Sequence, residues 1–173
     1  VAPLVARKVG AVVGGGKSRQ ESVAAGIAAL PAEVSLVAIH DGARPLVTPH
    51  TIAAALDALT DDPSLAGVIV GHPAYDTLKL IDDFGRVVRT VDRSKYWVAQ
   101  TPQVFRAGLL VAAYESAAQS GLEGTDDAAV VESAGGAVGV LAGPRDNIKV
   151  TVPEDLAFVD RVLRARGEAL DDR

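Results

Sequence analysis

The sequence predicts an α/β fold in which helices cover both faces of a mostly parallel β-sheet. Short apolar, β-branched runs alternate along the chain with segments of helical periodicity. The run at residues 34–39 is almost continuously apolar, which is typical of a strand that is buried on both faces. The chain has 173 residues and is 49% hydrophobic, which is enough for one domain with a substantial core.

The composition excludes several classes of site and partner. The net charge of −5 argues against a nucleic-acid-binding surface. The lack of cysteine excludes disulfides and thiolate-bound metals, and the three dispersed His disfavour a His-based zinc site. No apolar run has the length of a membrane span, and no signal-peptide pattern opens the chain. We therefore expect a cytoplasmic enzyme, although the start at Val1 and the lack of Met indicate a processed or truncated chain.

A capping box marks the start of the first predicted helix. Ser18 and Glu21 have the S-x-x-E spacing at which two side chains reciprocally satisfy free N–H groups at a helix N-terminus. Apolar residues follow at helical spacing until Pro31, which ends the helix. A short strand is predicted before this helix, at residues 9–13, and the glycine-rich turn 14–17 lies between the two.

The elements after Pro31 alternate between strand and helix, with one exception. We expect strands at 34–39, 67–70, 97–100 and 137–141. We expect helices from Thr48 to about Leu59, over 107–118, from Thr125 to Gly135, and from a T-x-x-E cap at Thr151 and Glu154 to about Arg166. The exception is the stretch 77–90, in which polar and apolar residues alternate about a turn, so it predicts a β-hairpin arm outside the main sheet.

Polar and charged residues follow several of the predicted strands. Asp41 comes directly after the strand at 34–39, and the loops 71–77 and 144–149 follow two others. Ligands of open α/β sheets bind beyond the carboxyl ends of the strands, so we expect these loops to meet at one edge. Asp41 is placed either to bind a divalent cation or to close its turn. Arg44 is placed either to bind a phosphate or to pair with Asp41.

The glycine-rich turn leads into a helix N-terminus, where free N–H groups and the helix dipole favour an anion. The stretch GGGKSRQES is neither a Walker A sequence nor G-x-G-x-x-G, so on its own it is a weak signal. Cationic side chains are scattered over this stretch and the loops after the strands. On an acidic protein they favour a local binding site for phosphorylated ligands. The residues alone therefore predict a phosphate-binding α/β domain.

Six stretches, taken together and in order, resemble the 2-C-methyl-D-erythritol 4-phosphate cytidylyltransferase family. They are GGGKSRQESVAAG, IHDGARPLV, AYDTLK, TVDRSKYWVAQTPQVF, TDDA and DNIKVTVPEDL, and they extend from about Gly14 to Leu156. The resemblance implies a Rossmann-like three-layer sandwich of the nucleotidyltransferase type over residues 1–173. It also implies a homodimer that is interlocked by a β-arm at residues 75–95.

The reaction that the resemblance implies belongs to non-mevalonate isoprenoid biosynthesis. It joins 2-C-methyl-D-erythritol 4-phosphate and CTP, with Mg²⁺, to give 4-diphosphocytidyl-2-C-methyl-D-erythritol and pyrophosphate. The substrate phosphate attacks the α-phosphorus of CTP in line, so the protein has to position two anions and stabilise charge.

The resemblance also implies roles for individual residues. Asp41 matches an aspartate near the nucleotide, the metal and the sugar phosphate, and Arg93 and Lys149 match the cations that orient the methylerythritol phosphate. The positions on the CTP side are Gly16, Arg19 and Ser22. The hydroxyl positions that line the other substrate are Thr77, Thr101 and Thr125. Because the family's arm crosses the dimer, Thr77 and Arg93 are expected to serve the partner's site.

Two departures from the family pattern stand beside these expectations. The family begins with a strand and a glycine-rich loop whose Arg and Lys clamp the CTP triphosphate, and this sequence lacks that segment; we expect the protein itself to have it. Lys17 stands where an acidic residue is frequent in the family.

Two rival hypotheses are a cytidylyltransferase for ribitol 5-phosphate or another polyol phosphate, and a non-catalytic dimeric binding module. A dehydrogenase is disfavoured, because no G-x-G-x-x-G follows a strand.

Overall fold

The computed structural model describes residues 8–167, which form six strands and five α-helices. The strands are β1 (Leu36–Ile39), β2 (Gly67–Pro73), β3 (Lys79–Ile81), β4 (Val87–Thr90), β5 (Trp97–Arg106) and β6 (Val138–Ala142). The helices are α1 (Arg19–Ala28), α2 (Pro49–Asp61), α3 (Ala107–Ser120), α4 (Asp127–Ser133) and α5 (Glu154–Ala165). Within residues 8–167, no helix is long and apolar enough to cross a membrane.

Four strands form the main sheet, in the order β1-β5-β2-β6. β5 is antiparallel to both of its neighbours, whereas β2 and β6 are parallel. β1, β2 and β6 therefore run in one direction, and their carboxyl ends lie at the same edge of the sheet. The predicted α/β class with a mostly parallel sheet is confirmed.

Helices cover both faces of the main sheet because its strands carry apolar side chains on both. Phe105 of β5 packs in a buried cluster with Leu110 of α3 and Val131 of α4, and α1 lies against the same cluster. Its neighbour Val104 points to the opposite face, where it packs with Leu59 of α2. A third cluster joins α5 to Leu46.

The predicted hairpin is confirmed as the antiparallel pair β3-β4, which forms a sheet of its own. The predicted cap of α1 and the predicted start of α2 are also confirmed: Ser18 Oγ accepts from Glu21 N at 3.1 Å, and Thr48, just before α2, accepts through Oγ1 from Thr51 N at 3.1 Å. The reciprocal half of the capping box differs, because Glu21 accepts from the backbone N–H of Lys17. Local side-chain chemistry was therefore sufficient to place the starts of two helices.

The prediction of a strand at residues 9–13 is wrong. These residues form no regular secondary structure, and Val12 is 89% exposed. A strand needs a hydrogen-bonding neighbour, and among the described residues β1, at one edge of the main sheet, pairs only with β5. An apolar, β-branched run cannot form a strand in isolation.

Two other predicted caps are also wrong. Asp126, not Thr125, caps α4, because its carboxylate accepts from Ala129 N at 2.9 Å. At α5 the N-cap is Pro153 without a side-chain bond, and Thr151 instead donates to Asp155. In both places a neighbouring carboxylate, a stronger acceptor than a hydroxyl, takes the free N–H groups.

The strand predicted at 97–100 is longer than expected and continues to Arg106. Proline cannot donate to a sheet ladder, so it disfavours a strand that continues through Pro102. The structure accommodates it at an irregularity: β2 pairs with Gln103 and then with Ala99, and it skips the residues between them. The missing N–H therefore needs no partner in β2.

Candidate active site

Loops that follow the strands meet at one edge of the main sheet, as the sequence predicts. Lys149 Nζ, in the loop after β6, lies 3.0 Å from Asp41 Oδ2, in the loop after β1. The guanidinium of Arg145 lies 4.4 Å from the centroid of the Tyr75 ring, which joins the 144–149 loop to the loop after β2. Thr101 Oγ1 of β5 accepts from the backbone N–H of Asp41 at 3.1 Å.

Asp41 is surrounded by cations. Its Oδ1 accepts from Arg19 Nε at 3.2 Å, and its Oδ2 faces both Lys149 and, at 3.9 Å, Arg44 Nε. Burial alone would raise the pKa of Asp41, but the hydrogen bonds from Lys149 and Arg19 outweigh it, so the pKa lies below its ordinary value. Asp41 is therefore ionised at neutral pH.

Arg44 ties two loops together. It donates through Nη1 to the carbonyl of Asn147 at 2.9 Å, and its side chain is only 12% exposed. Burial lowers its pKa, which the charge of Asp41 offsets in part. Arg44 Nε lies 3.9 Å from Asp41 Oδ2, and the bond from Arg44 to Asn147 holds the 144–149 loop beside Asp41.

His40 orients the hydroxyl of Thr101. Its Nε2 lies 3.0 Å from the carbonyl oxygen of Arg44, which only accepts, so Nε2 carries the proton. Its Nδ1 then accepts from the Thr101 hydroxyl at 2.9 Å. Thr101 thus donates to His40 while it accepts from Asp41 N, and this arrangement fixes the backbone at Asp41.

These residues enclose a cleft of about 260 Å³. Five of the predicted site residues line it: Arg19, Asp41, Thr101, Thr125 and Lys149. Arg44 lines the cleft as well, so three cations face two carboxylates, those of Asp41 and Asp126. The cleft is therefore locally cationic on an acidic protein, which favours an anionic ligand.

The other four predicted site residues lie outside the cleft. Gly16 N donates to Ser22 Oγ at 3.0 Å, so these two residues interact with each other at the start of α1. A Cβ on Gly16 would lie 2.2 Å from the Cβ of Glu21, so the tight approach of the loop to α1 requires glycine there. Thr77 and Arg93 are exposed at the base of the arm, where the Arg93 guanidinium donates to the carbonyl of Tyr75.

Sequence reasoning missed the residues that hold Arg19 and α4. Asp127 is fully buried and accepts from Arg19 Nη1 and Nη2 at 3.0 and 2.6 Å, and Tyr114 Oη donates to it at 2.6 Å. Gln103, also buried, donates to Asp126 at 2.8 Å. The sequence contained one signal for this network, since two acidic residues stand in a row at a helix start that needs only one cap.

The carboxylates fit one mode of magnesium binding. Among the described residues, no group of three or more His, Asp or Glu is close enough to hold an ion by itself. Asp126 accepts from Ala129 N and Gln103, whereas Asp41 meets only side-chain cations, Arg19 on Oδ1 and Lys149 on Oδ2, whose contacts an ion and substrate phosphates can share. Mg²⁺ is often held by one or two carboxylates together with substrate phosphates, and a single Asp41 fits that mode.

Comparisons with known proteins decide the family. The chain matches the family model described as "IspD: 2-C-methyl-D-erythritol 4-phosphate cytidylyltransferase" over residues 2–165. The chain belongs to this family. The predicted family, and with it the class of nucleotidyltransferase enzymes, is confirmed.

Individual relatives agree with the family match. The chain is 41% identical to the 2-C-methyl-D-erythritol 4-phosphate cytidylyltransferase of Pelotomaculum thermopropionicum, over 92% of this chain and 66% of the relative. It is 43% identical to the protein of the same name from Nostoc punctiforme, over 90% and 67%. The chain thus spans about two thirds of the length of these relatives.

Solved structures of the family have the same fold. The 4-diphosphocytidyl-2C-methyl-D-erythritol synthase of Anaerococcus prevotii superposes with a TM-score of 0.81 at 34% identity, over 88% of this chain and 69% of that one. The 2-C-methyl-D-erythritol 4-phosphate cytidylyltransferase of Thermus thermophilus gives 0.78 at 34% identity, over 88% and 72%. The predicted Rossmann-like nucleotidyltransferase fold is confirmed.

Proposed function

We propose that this protein transfers the cytidylyl group of CTP to 2-C-methyl-D-erythritol 4-phosphate and releases pyrophosphate. The observation that carries the proposal is the cleft in which Lys149 and Arg19 flank Asp41, at the edge where the strand-end loops meet. Both substrates are anions, and a cleft with three cations reduces the repulsion between them. Family membership supports this choice of substrates.

The chemistry needs little from the protein beyond positioning and charge. An oxygen of the polyol phosphate forms a bond to the α-phosphorus of CTP, the bond to the bridging oxygen breaks, and pyrophosphate leaves with that electron pair. The attacking phosphate has its second pKa near 6, so it is largely dianionic at neutral pH and needs no general base. The residues of the cleft therefore act by holding the two reactants in line.

We assign the orienting role to Lys149. Its ammonium has three donors, and the contact with Asp41 uses one of them. Its side chain is 43% exposed, so the other two donors are accessible to a phosphate in the cleft. Thr101 and Thr125 line the same space beside the polyol. Gly16, Arg19 and Ser22 are proposed to form the nucleotide side, at the N-terminus of α1.

Asp41 is proposed to hold Mg²⁺ together with the CTP phosphates. The bound ion would neutralise charge on the triphosphate and on the departing pyrophosphate. The part played by the chain is to keep Asp41 ionised and fixed, which the contacts with Arg19, Lys149 and Thr101 achieve. A cytoplasmic location is also proposed, on the strength of membership in this family of enzymes.

We also propose a homodimer formed through the arm at residues 75–95. Five large apolar side chains of this hairpin are exposed by 45–84%: Leu80, Ile81, Phe84, Val87 and Val88. An isolated two-stranded hairpin is marginally stable in water, so these side chains need a surface to cover them. In the proposed dimer the arm brings Thr77 and Arg93 to the cleft of the partner, which would complete that site.

The experiment that tests the activity is pyrophosphate release by the protein with its native N-terminus, in the presence of Mg²⁺ and CTP. We expect release with methylerythritol phosphate and little with ribitol 5-phosphate. Release with ribitol 5-phosphate alone would contradict the proposed substrate while keeping the reaction class. If folded protein releases pyrophosphate with neither methylerythritol phosphate nor ribitol 5-phosphate, the proposed activity is contradicted and a binding module is favoured.

A further inference from the structure

The guanidinium of Arg19 is bonded on both of its edges. Nη1 and Nη2 donate to the two carboxylate oxygens of Asp127 at 3.0 and 2.6 Å, and Nε donates to Asp41 Oδ1 at 3.2 Å. The guanidinium is planar, so the two-point bond to Asp127 fixes the direction of the Nε–H as well. Arg19 therefore reaches Asp41 in an orientation that Asp127 sets.

Asp127 is itself held in place. It is fully buried at the first residue of α4, where the helix N-terminus favours a negative charge. Tyr114 of α3, which is 7% exposed, donates its hydroxyl to Asp127 Oδ1 at 2.6 Å. The chain of contacts thus runs from a phenol in the helical layer, through a buried carboxylate and a guanidinium, to the carboxylate of the cleft.

The charges in this chain of contacts suit a permanent connection. The hydrogen bonds to Asp127 are the main cause that raises the pKa of Arg19, so Arg19 remains a cation. Burial, with Asp127 beside it, raises the pKa of Tyr114, so its hydroxyl keeps the proton that it donates. Arg19 also gives the buried carboxylate of Asp127 a partner charge, without which burial would be unfavourable.

We propose that Tyr114 and Asp127 are positioning residues for the reaction, because they lock Arg19 in the orientation that holds Asp41. This inference rests on the proposed function, and it gives roles to two residues that do not line the cleft beside Asp41. Without these contacts, Arg19 would leave the position that it holds on the nucleotide side, and Asp41 Oδ1 would lose its restraint. With the lock in place, Arg19 holds Oδ1 while Oδ2 remains with Lys149.

The test uses Tyr114→Phe, which removes the hydroxyl and keeps the ring in the core. Tyr96→Phe is the matched control, since Tyr96 is 43% exposed. The direct measurement is the exchange rate of the Arg19 Nε–H with water, followed by ¹⁵N NMR and assigned by its loss in Arg19→Lys. We expect exchange at least about threefold faster in Tyr114→Phe than in the wild type and the control, because the bonds that protect Nε–H open more often.

Pyrophosphate release on the same samples connects the lock to the reaction. Loss of one hydrogen bond to a charged group predicts a kcat about three- to tenfold lower in Tyr114→Phe, with the KM for methylerythritol phosphate changed less than about twofold. Asp127→Asn should have the same effects to a greater degree. It neutralises a fully buried carboxylate that pairs with Arg19 and can impair folding, which is why Tyr114→Phe is the primary variant.

The possible outcomes are distinct. Unchanged exchange of the Arg19 Nε–H in Tyr114→Phe would contradict the proposal that Tyr114 and Asp127 fix the orientation of Arg19. Faster exchange with an unchanged kcat, or a lower melting temperature as the sole effect, would overturn the positioning role and leave a purely structural one. A wild-type protein that releases no pyrophosphate, while exchange still rises in Tyr114→Phe, would contradict the proposed function and support the lock.

Discussion

Lys149 Nζ lies 3.0 Å from Asp41 Oδ2, although the two residues follow the two outer strands of the main sheet. The loop after β6 therefore crosses the ends of β2 and β5 to reach the loop after β1. Backbone contact holds it there, since Val150 N donates to the carbonyl of Ala43 at 2.8 Å. This crossing brings a partly exposed cation and an ionised carboxylate together over the sheet edge.

Replacement of Lys149 should impair the reaction and spare the fold. We expect Lys149→Ala to lower kcat by about 100-fold or more, because it removes a donor aimed at charge in the reacting phosphates. The free energy of unfolding should change by less than about 1 kcal/mol, since the ion pair is near the surface. Steady-state kinetics measure kcat, and urea unfolding measures the free energy of unfolding. Arg164→Ala, which removes an exposed cation from α5, is the control, and comparable losses of kcat in both variants would contradict the role of Lys149.

The crossing of the arm can be tested by complementation. Arg93→Ala and Lys149→Ala should each be nearly inactive alone. In a mixed dimer, one cleft carries both defects and the other carries neither. After unfolding and refolding of an equal mixture, we expect about a quarter of the wild-type activity. If the mixture is no more active than its components, Arg93 does not serve the partner's cleft.

Asp41→Asn tests the proposed contact with magnesium. The amide keeps the size of the side chain but is a much poorer ligand for a hard cation. We therefore expect the Mg²⁺ concentration for half-maximal activity to rise about tenfold or more. Direct titration of CTP binding at several Mg²⁺ concentrations gives a readout that does not depend on turnover. Asp57→Asn, on the exposed side of α2, is the control. Equal Mg²⁺ dependence in all three proteins would rule out Asp41 as the ligand.

The start of α5 predicts a pH-dependent stability. The N–H groups of Thr151 and Val152 donate to Asp155 and lower its pKa below the ordinary 3.8. Its contribution to stability is therefore fully present above the ordinary pKa, and it is lost as the pH falls through the lowered value of the folded state. Asp155→Ala should be less stable than the wild type at pH 7, and the two should converge in strong acid. Urea unfolding across this range measures the difference.

Glu154→Ala separates the hydrogen bonds of Asp155 from its charge, because it removes a carboxylate from the same turn of α5. We expect this variant to lose less stability at pH 7 than Asp155→Ala. Equal losses would mean that interaction with the helix dipole, rather than the backbone hydrogen bonds, accounts for the effect.

The local signals in the sequence were reliable where a short stretch decides the outcome. The cap at Ser18, the helix start at Thr48 and the hairpin about residues 82–85 depend on neighbours a few residues away, and all three are confirmed. The prediction of a strand at residues 9–13 was wrong for the opposite reason, because a strand depends on a partner elsewhere in the chain. The cap predicted at Thr125 was wrong by one residue, since adjacent acceptors compete for the same N–H groups.

The sequence by itself determined the class of the fold, the family, and several residues that line the cleft, among them Asp41, Thr101 and Lys149. These follow from periodicities and motifs that are complete within short stretches of chain. Only the tertiary structure decided that Arg44 donates to Asn147, and that Tyr114 and Asp127 lie behind Arg19. The reason is physical: a buried charge must find a partner, and the partner is set by which distant segments the folded core brings within about 3 Å of it.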